Sequence, residues 1–274
     1  MFLPMVADYI TYCIENKTPV SFLKFGDGEF QCVTGCNGGN CDADPYTKSL
    51  SEGIKSSFSY LSQQPNTLFG AWHTPEVVNF WESIVENSPK WVNYHTLIVD
   101  IEDLRKRDNG EFDKKMKLLR TIKTSPLPKI IICNELLQKT KLLFGGGEAD
   151  VTTVFVPLRD WFDTKFNEIF GQIKAECERA NGQAILIFSA GMGSKVLVYE
   201  LYKLFPQNIY LDFGSALDII CTRQDSRGRG YGYGNLYEAI RRAGGVLPED
   251  AVWHDPKYNP IYESASRNLG IHMK

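Results

Sequence analysis

The chain has 274 residues, 43% of them hydrophobic and 23% charged, the balance of an ordinary globular protein long enough for one large α/β domain or two small ones. A formal net charge of −3 excludes bulk electrostatic attraction to nucleic acid or to an anionic membrane. The seven cysteines are odd in number and widely spread, which fits reduced thiols and a cytoplasmic location. Met1 to Ile14 is mildly apolar, but it carries Asp8 and no basic leader; it is expected to be an amphipathic helix rather than a signal or transmembrane segment.

After a helix over about 5–16, Pro19 leads into a strand, Ser21 to Phe25, which runs into Gly26-Asp27-Gly28-Glu29. Cys32, Cys36 and Cys41 follow in a glycine-rich stretch, but their C-x3-C-x4-C spacing lacks the paired C-x2-C knuckles of a structural zinc site. Incidental thiols on a loop are the expectation there. Tyr46, Leu50, Ile54, Phe58 and Leu61 have helical spacing. Thr67 to Trp72 reads as a second strand, and Pro75 opens a helix through Ser83. His95 to Asp100 reads as a third strand, and 111–122 as a basic amphipathic helix. Lys129 to Cys133 is apolar enough to be buried on both faces, as parallel strands are. Val151 to Val156 is a strand, Trp161 to Asn181 a long helix and Gln183 to Phe188 another strand. The turn Ser189 to Lys195 opens a helix to Leu204, and Asn208 to Phe213 is the last strand before Gly214. This alternation predicts one α/β domain, a mostly parallel Rossmann-like sheet with helices on both faces. Its expected bounds are 1–221, with residues 222–274 as a C-terminal extension packed on it or closing over it.

Ligands of such sheets sit beyond the carboxyl ends of the strands. Two hard oxygen donors one residue apart, Asp27 and Glu29, can share a divalent cation that keeps positions for water and substrate phosphates. Gly-Asp-Gly-Glu is equally ordinary turn chemistry. Gly191 and Gly193 allow backbone N–H groups to converge on an anion ahead of a helix, or simply allow close packing of strand and helix. The glycine spacing and the order Ser194-Lys195 exclude a Walker A loop.

Lys24-Phe25-Gly26-Asp27-Gly28-Glu29 resembles the (R/K)-F-G-D-G-E motif of bacterial glycosyltransferases with the GT-D fold, once a domain of unknown function. Val154-Phe155-Val156-Pro157 with Trp161-Phe162, then Ile187 to Leu197, then Tyr210-Leu211-Asp212-Phe213-Gly214-Ser215-Ala216-Leu217-Asp218, resemble later steps of that family in the same order. The likeness covers roughly residues 5–220. Lys24 replaces the usual arginine and Ser215 a frequent histidine.

The resemblance implies a GT-D-like fold and transfer of a sugar from a nucleoside-diphosphate sugar, UDP-linked in the first instance, to an oligosaccharide or other glycan acceptor. It associates Mn²⁺ or Mg²⁺ with Asp27 and Glu29; taken with the strand-end positions, it makes Lys24, Gly26, Gly28, Gly191, Gly193, Ser194, Lys195 and Ser215 the expected donor contacts, with no imidazole role carried over to Ser215. Arg223 and Arg227 lie in a glycine-rich segment that reads first as a solvated loop and alternatively as a lid over the donor, where they would add phosphate contacts. Asp218 and Asp212 are the candidate proton acceptors, with Asp212 the better candidate for orienting the loop or contacting ribose. A metal-dependent phosphohydrolase or nucleotidase, and a non-catalytic nucleotide- or glycan-binding protein, are the other classes compatible with these residues.

Overall fold

A computed structural model describes residues 6–36, 46–71, 74–97, 110–138, 140–145, 149–158 and 160–217. Among the described residues seven strands form a single sheet: β1 (Val20–Phe25), β2 (Thr67–Ala71), β3 (Trp91–Asn93), β4 (Lys129–Cys133), β5 (Val151–Phe155), β6 (Ile185–Ser189) and β7 (Ile209–Asp212). Their order across the sheet is β3-β2-β1-β7-β6-β4-β5, and every neighbouring pair is parallel. The mostly parallel α/β sheet expected from the strand–helix alternation is therefore present, with all strand ends of one polarity on one edge.

The helices are α1 (Ala7–Glu15), α2 (Asp27–Val33), α3 (Lys48–Ser62), α4 (Pro75–Ser83), α5 (Glu111–Thr124), α6 (Thr140–Phe144), α7 (Phe162–Arg179) and α8 (Ser194–Leu204). They cover both faces because the central strands bury alternate side chains in two separate cores. Val20, Phe22, Ile185 and Ile187 pack with α1, α5 and α6; Leu23, Phe25, Leu186 and Phe188 pack with the other five helices. Both faces of the central strands must then be apolar, which is why β1, β4 and β6 read as continuous hydrophobic runs. Among the described residues no helix is long and apolar enough to cross a membrane.

Two local expectations are corrected. The third strand is Trp91–Asn93, with His95 in the turn after it. Asn93 ends the strand: its side-chain oxygen accepts the His95 N–H at 2.9 Å and its carbonyl accepts the Thr96 hydroxyl at 2.6 Å. Such Asx turns compete with the ladder for backbone groups. The second correction is that Asp27 and Glu29 do not sit on an irregular loop. They occupy the first turn of α2, whose N-cap is Gly26.

The carboxyl end of β1 is held rigidly from below. Phe25 packs edge-on against Phe58 at 5.0 Å and Trp81 at 4.9 Å, and Phe58 lies 4.7 Å from Trp81 between ring centroids. Offset and edge-to-face aromatic contacts of this kind stabilise beyond their buried area. On the other side of the sheet's midline, Gly193 leaves room for the indole of Trp161: a Cβ there would lie 2.5 Å from the ring. Gly193→Ala should therefore overpack the core and lower stability by about 1–3 kcal/mol. Gly171→Ala, on an open face of α7 with nothing within 4 Å, should instead stabilise by about 0.5–1 kcal/mol through helix propensity. Urea unfolding of both variants checks the contrast, and equal effects would contradict this packing.

Candidate active site at the carboxyl edge of the sheet

Three parallel strands, β1, β7 and β6, deliver their ends to the same place, and one buried lysine joins them. Lys195, in the first turn of α8 just beyond β6, donates to Glu29 Oε1 at 2.8 Å and to Asp212 Oδ2 at 2.9 Å. All three are nearly inaccessible, at 4%, 7% and 1% exposure. Burial alone would pull the Lys195 pKa down, but the Asp212 and Glu29 carboxylates outweigh that cost and hold it above the ordinary lysine range. The ammonium is thus fixed in its charged form, and its electrostatic partners come from the first turn of α2 and the end of β7.

Each carboxylate also organises backbone. The second oxygen of Glu29 accepts the Gly26 N–H at 2.9 Å, tying the third residue of α2 back to its own N-cap. That arrangement satisfies one of the orphan donors at a helix start and places negative charge at the positive end of the helix. Asp212 accepts the Lys24 N–H at 3.1 Å on one oxygen and the Gly214 N–H at 3.0 Å on the other. Gly214 has φ +53, and a Cβ there would lie 2.5 Å from Lys24 Nζ, so only glycine fits this turn. Ser189 Oγ donates to the Gly214 carbonyl at 2.6 Å, and Lys24 Nζ to the Phe213 carbonyl, so β1 and β6 both grip the turn after β7.

Several expected roles change with these positions. The two acids of the Asp27–Glu29 pair do not face one ligand. Residues two apart on a helix point about 200° apart, and here Asp27 is exposed whereas Glu29 is buried in the lysine pair. Lys24 is 3% exposed and spent on the Phe213 carbonyl beneath the Tyr94 ring, which lies 5.3 Å from the ammonium; it braces the turn and does not present its charge to solvent. Lys195 likewise faces inward. In the Gly191–Lys195 loop the N–H groups of Ser194, Lys195 and Val196 donate to the Gly191, Met192 and Gly193 carbonyls and Ser194 Oγ donates to the Gly191 carbonyl, so these donors are engaged within the turn. Gly191, at φ +64, makes the tight turn, and Gly193 makes room for Trp161. Asp212 serves as an anchor: its carboxylate accepts three donors, one of them a buried ammonium. Gly26 and Gly28 are buried at the start of α2, and Ser215 is half-buried on the Gly214 turn. Asp218, Arg223 and Arg227, with the lid and the extension beyond residue 217, lie outside the described residues.

Tyr94 was not visible as a site residue. Its hydroxyl lies 2.9 Å from where a Cβ at Gly26 would be, so it roofs the start of α2. No sequence signal marks it: it lies in the turn directly after β3, and the strand there was placed four residues too late. Of the three thiols grouped by sequence, Cys32 is buried on the inner face of α2 and Cys36 is exposed, so these two do not face a common ion; Cys41 lies outside the described residues. Burial, with a smaller contribution from the Glu29 charge, pushes the Cys32 thiol up to about 11. Among the described residues no group of three His, Cys, Asp or Glu side chains could hold a metal by itself.

The architecture is shared with solved structures. A chain described as "the highly conserved domain of unknown function 1792 has a distinct glycosyltransferase fold" matches with a TM-score of 0.57 at 16% identity, over 80% of each chain. A selenomethionine-substituted DUF1792 chain matches with a TM-score of 0.56 at 17% identity, over 80% of each. A further chain, described as a new glycosyltransferase (DUF1792) from Streptococcus sanguinis, matches with a TM-score of 0.55 at 16% identity, over 80% of this chain and 84% of that one. No family model and no curated protein matches the sequence. The chain has the glycosyltransferase fold described for DUF1792, the fold that the first-strand motif implies.

Lys195→Met would leave two buried carboxylates facing each other without a counter-ion, and should cost about 3–5 kcal/mol of stability. Asp27→Asn, on the exposed position of the same helix turn, should change stability by no more than about 0.5 kcal/mol. Denaturant unfolding measures both; a Lys195→Met protein as stable as Asp27→Asn would show that the lysine is not paired as described.

Proposed function

We propose that this protein is a glycosyltransferase that moves a sugar from a nucleoside-diphosphate sugar, with a UDP-linked donor as the first candidate, to a glycan acceptor. The observation that carries the reading is the exposed Asp27 carboxylate, fixed at the carboxyl edge of a sheet with this fold by the buried Lys195–Glu29–Asp212 cluster. Ligands of doubly wound sheets bind at that edge.

With Glu29 engaged by Lys195 and Gly26, Asp27 is the carboxylate of the pair left facing solvent, a donor set suited to Mg²⁺ or Mn²⁺, which are commonly bound by one or two carboxylates together with substrate phosphates. Such a cation stabilises the charge that develops on a departing nucleoside diphosphate. The protein's own contribution is positional. Glu29 holds the N-cap of α2 and so fixes where Asp27 projects; Asp212, Lys24 and Ser189 fix the Gly214 turn and present Ser215 beside it. A preorganised edge avoids reorganisation during the reaction. On sequence grounds alone, Asp218, following that turn, is the residue proposed to take the proton from the acceptor hydroxyl, as an inverting transfer requires.

A thermal-shift series with UDP, UDP-sugars and Mn²⁺ tests the reading. Donor at about a hundredfold over its dissociation constant should add about 2.7 kcal/mol of apparent stability. The Mn²⁺-dependent part of that gain should vanish in Asp27→Asn, and wild-type protein should release UDP faster when a suitable glycan is supplied. No stabilisation by any nucleoside-diphosphate sugar, with or without Mn²⁺, would sink the proposal.

A further inference from the structure

On the same edge of the sheet, next to the buried lysine cluster, the starts of α3, α7 and α8 enclose a pocket of about 160 Å³. Leu50, Trp161, Phe162 and Gly193 line it, and Asp160 and Asp163 stand at it. Gly193 is the N-cap of α8 and lies two residues before Lys195, so the pocket adjoins the site already described. The walls are fixed. Trp161 is 3% exposed, stacks on Phe166 at an interplanar angle of 5° and fills the space left by Gly193. Ser49 Oγ donates to Asp163, pinning the start of α3 to that of α7, and Thr164 Oγ1 donates to the Asp160 carbonyl at 2.7 Å.

The chemistry of this pocket differs from what a nucleotide needs. Its volume is well below the roughly 300 Å³ of pockets that enclose drug-sized ligands, and among the described residues its lining offers no lysine or arginine to a diphosphate. An aromatic and aliphatic floor beside hydrogen-bond acceptors matches a neutral ring that is apolar on one face and carries hydroxyl donors around its rim. That is the surface of a pyranose.

We infer that this pocket seats one neutral pyranose unit of the acceptor, with its C–H face on Phe162 and its hydroxyls donating to Asp160 and Asp163. The word acceptor rests on the glycosyltransferase reading; the sugar chemistry of the pocket does not. Its lining includes Gly193, the N-cap of the helix that carries Lys195, so a bound sugar would sit on the same strand-end edge as the donor site proposed above.

Saturation-transfer NMR with the methyl glycosides of glucose, galactose, N-acetylglucosamine and rhamnose tests this directly and needs no turnover. At least one glycoside should receive saturation on its ring protons from the wild-type protein. Its affinity should fall about tenfold in Phe162→Ala, the loss expected for one aromatic contact, and should also fall in Asp163→Asn. Thr164→Arg, at an exposed position at the pocket, should block binding without disturbing the core, so the test stands even if Phe162→Ala fails to fold. A panel in which no glycoside binds, or in which Thr164→Arg binds as the wild type does, overturns the inference. UDP-induced stabilisation of the wild-type protein, measured separately, reports on the donor edge, so its failure and that of the pocket are told apart.

Discussion

A single buried ammonium sets the geometry of this edge of the sheet. Lys195 holds Glu29 and Asp212 at hydrogen-bond distance in a place from which water is almost wholly excluded. Removing two carboxylates and an ammonium from water is costly, and their mutual attraction offsets this only when the geometry is good and the remaining lone pairs are satisfied. Here they are: Glu29 takes the Gly26 N–H, and Asp212 takes those of Lys24 and Gly214. The cluster therefore does more than neutralise itself. It fixes the start of α2 and the turn after β7 relative to each other, the two segments that carry Asp27 and Ser215.

This arrangement divides the work of the paired acids. An acid–glycine–acid run looks like a chelating pair when read along the chain, because nothing in its composition distinguishes two ligands from one ligand and one anchor. The helix makes the distinction. Once Gly26 caps α2, the first and third residues of the helix turn in opposite directions, and one acid is committed to the interior while the other meets solvent. Asp27 inherits the chemical role proposed for the pair, and Glu29 inherits the task of aiming it.

Much of the architecture was legible because local signals and burial agreed. The apolar runs of β1, β4 and β6, the helical spacing through α3 and α7, and the proline at the start of α4 all placed elements within a few residues of where they lie. Periodicity failed where a side chain captured backbone groups, as Asn93 does at the end of β3, and where an element was too short to show a period, as with the seven residues of α2. At the site, the residues were legible and their directions were not. Lys24 and Lys195 were read as charges offered to a phosphate, yet each is turned inward by a partner nearly the length of the domain away in sequence, Phe213 for one and Glu29 for the other. Such pairings depend on strand order, and β7 inserting between β1 and β6 is a fact of topology that no local pattern carries.

The central claim is that Glu29 belongs to Lys195, and a double-mutant cycle on stability measures it most directly. Glu29→Gln and Lys195→Met, alone and together, should be strongly non-additive: the double variant should be more stable than the sum of the single losses implies, by about 1–3 kcal/mol, because removing one buried charge relieves the other of its missing partner. Additivity within about 0.5 kcal/mol would mean that the two side chains do not interact, and the separation of anchor from ligand-facing acid would fall with it.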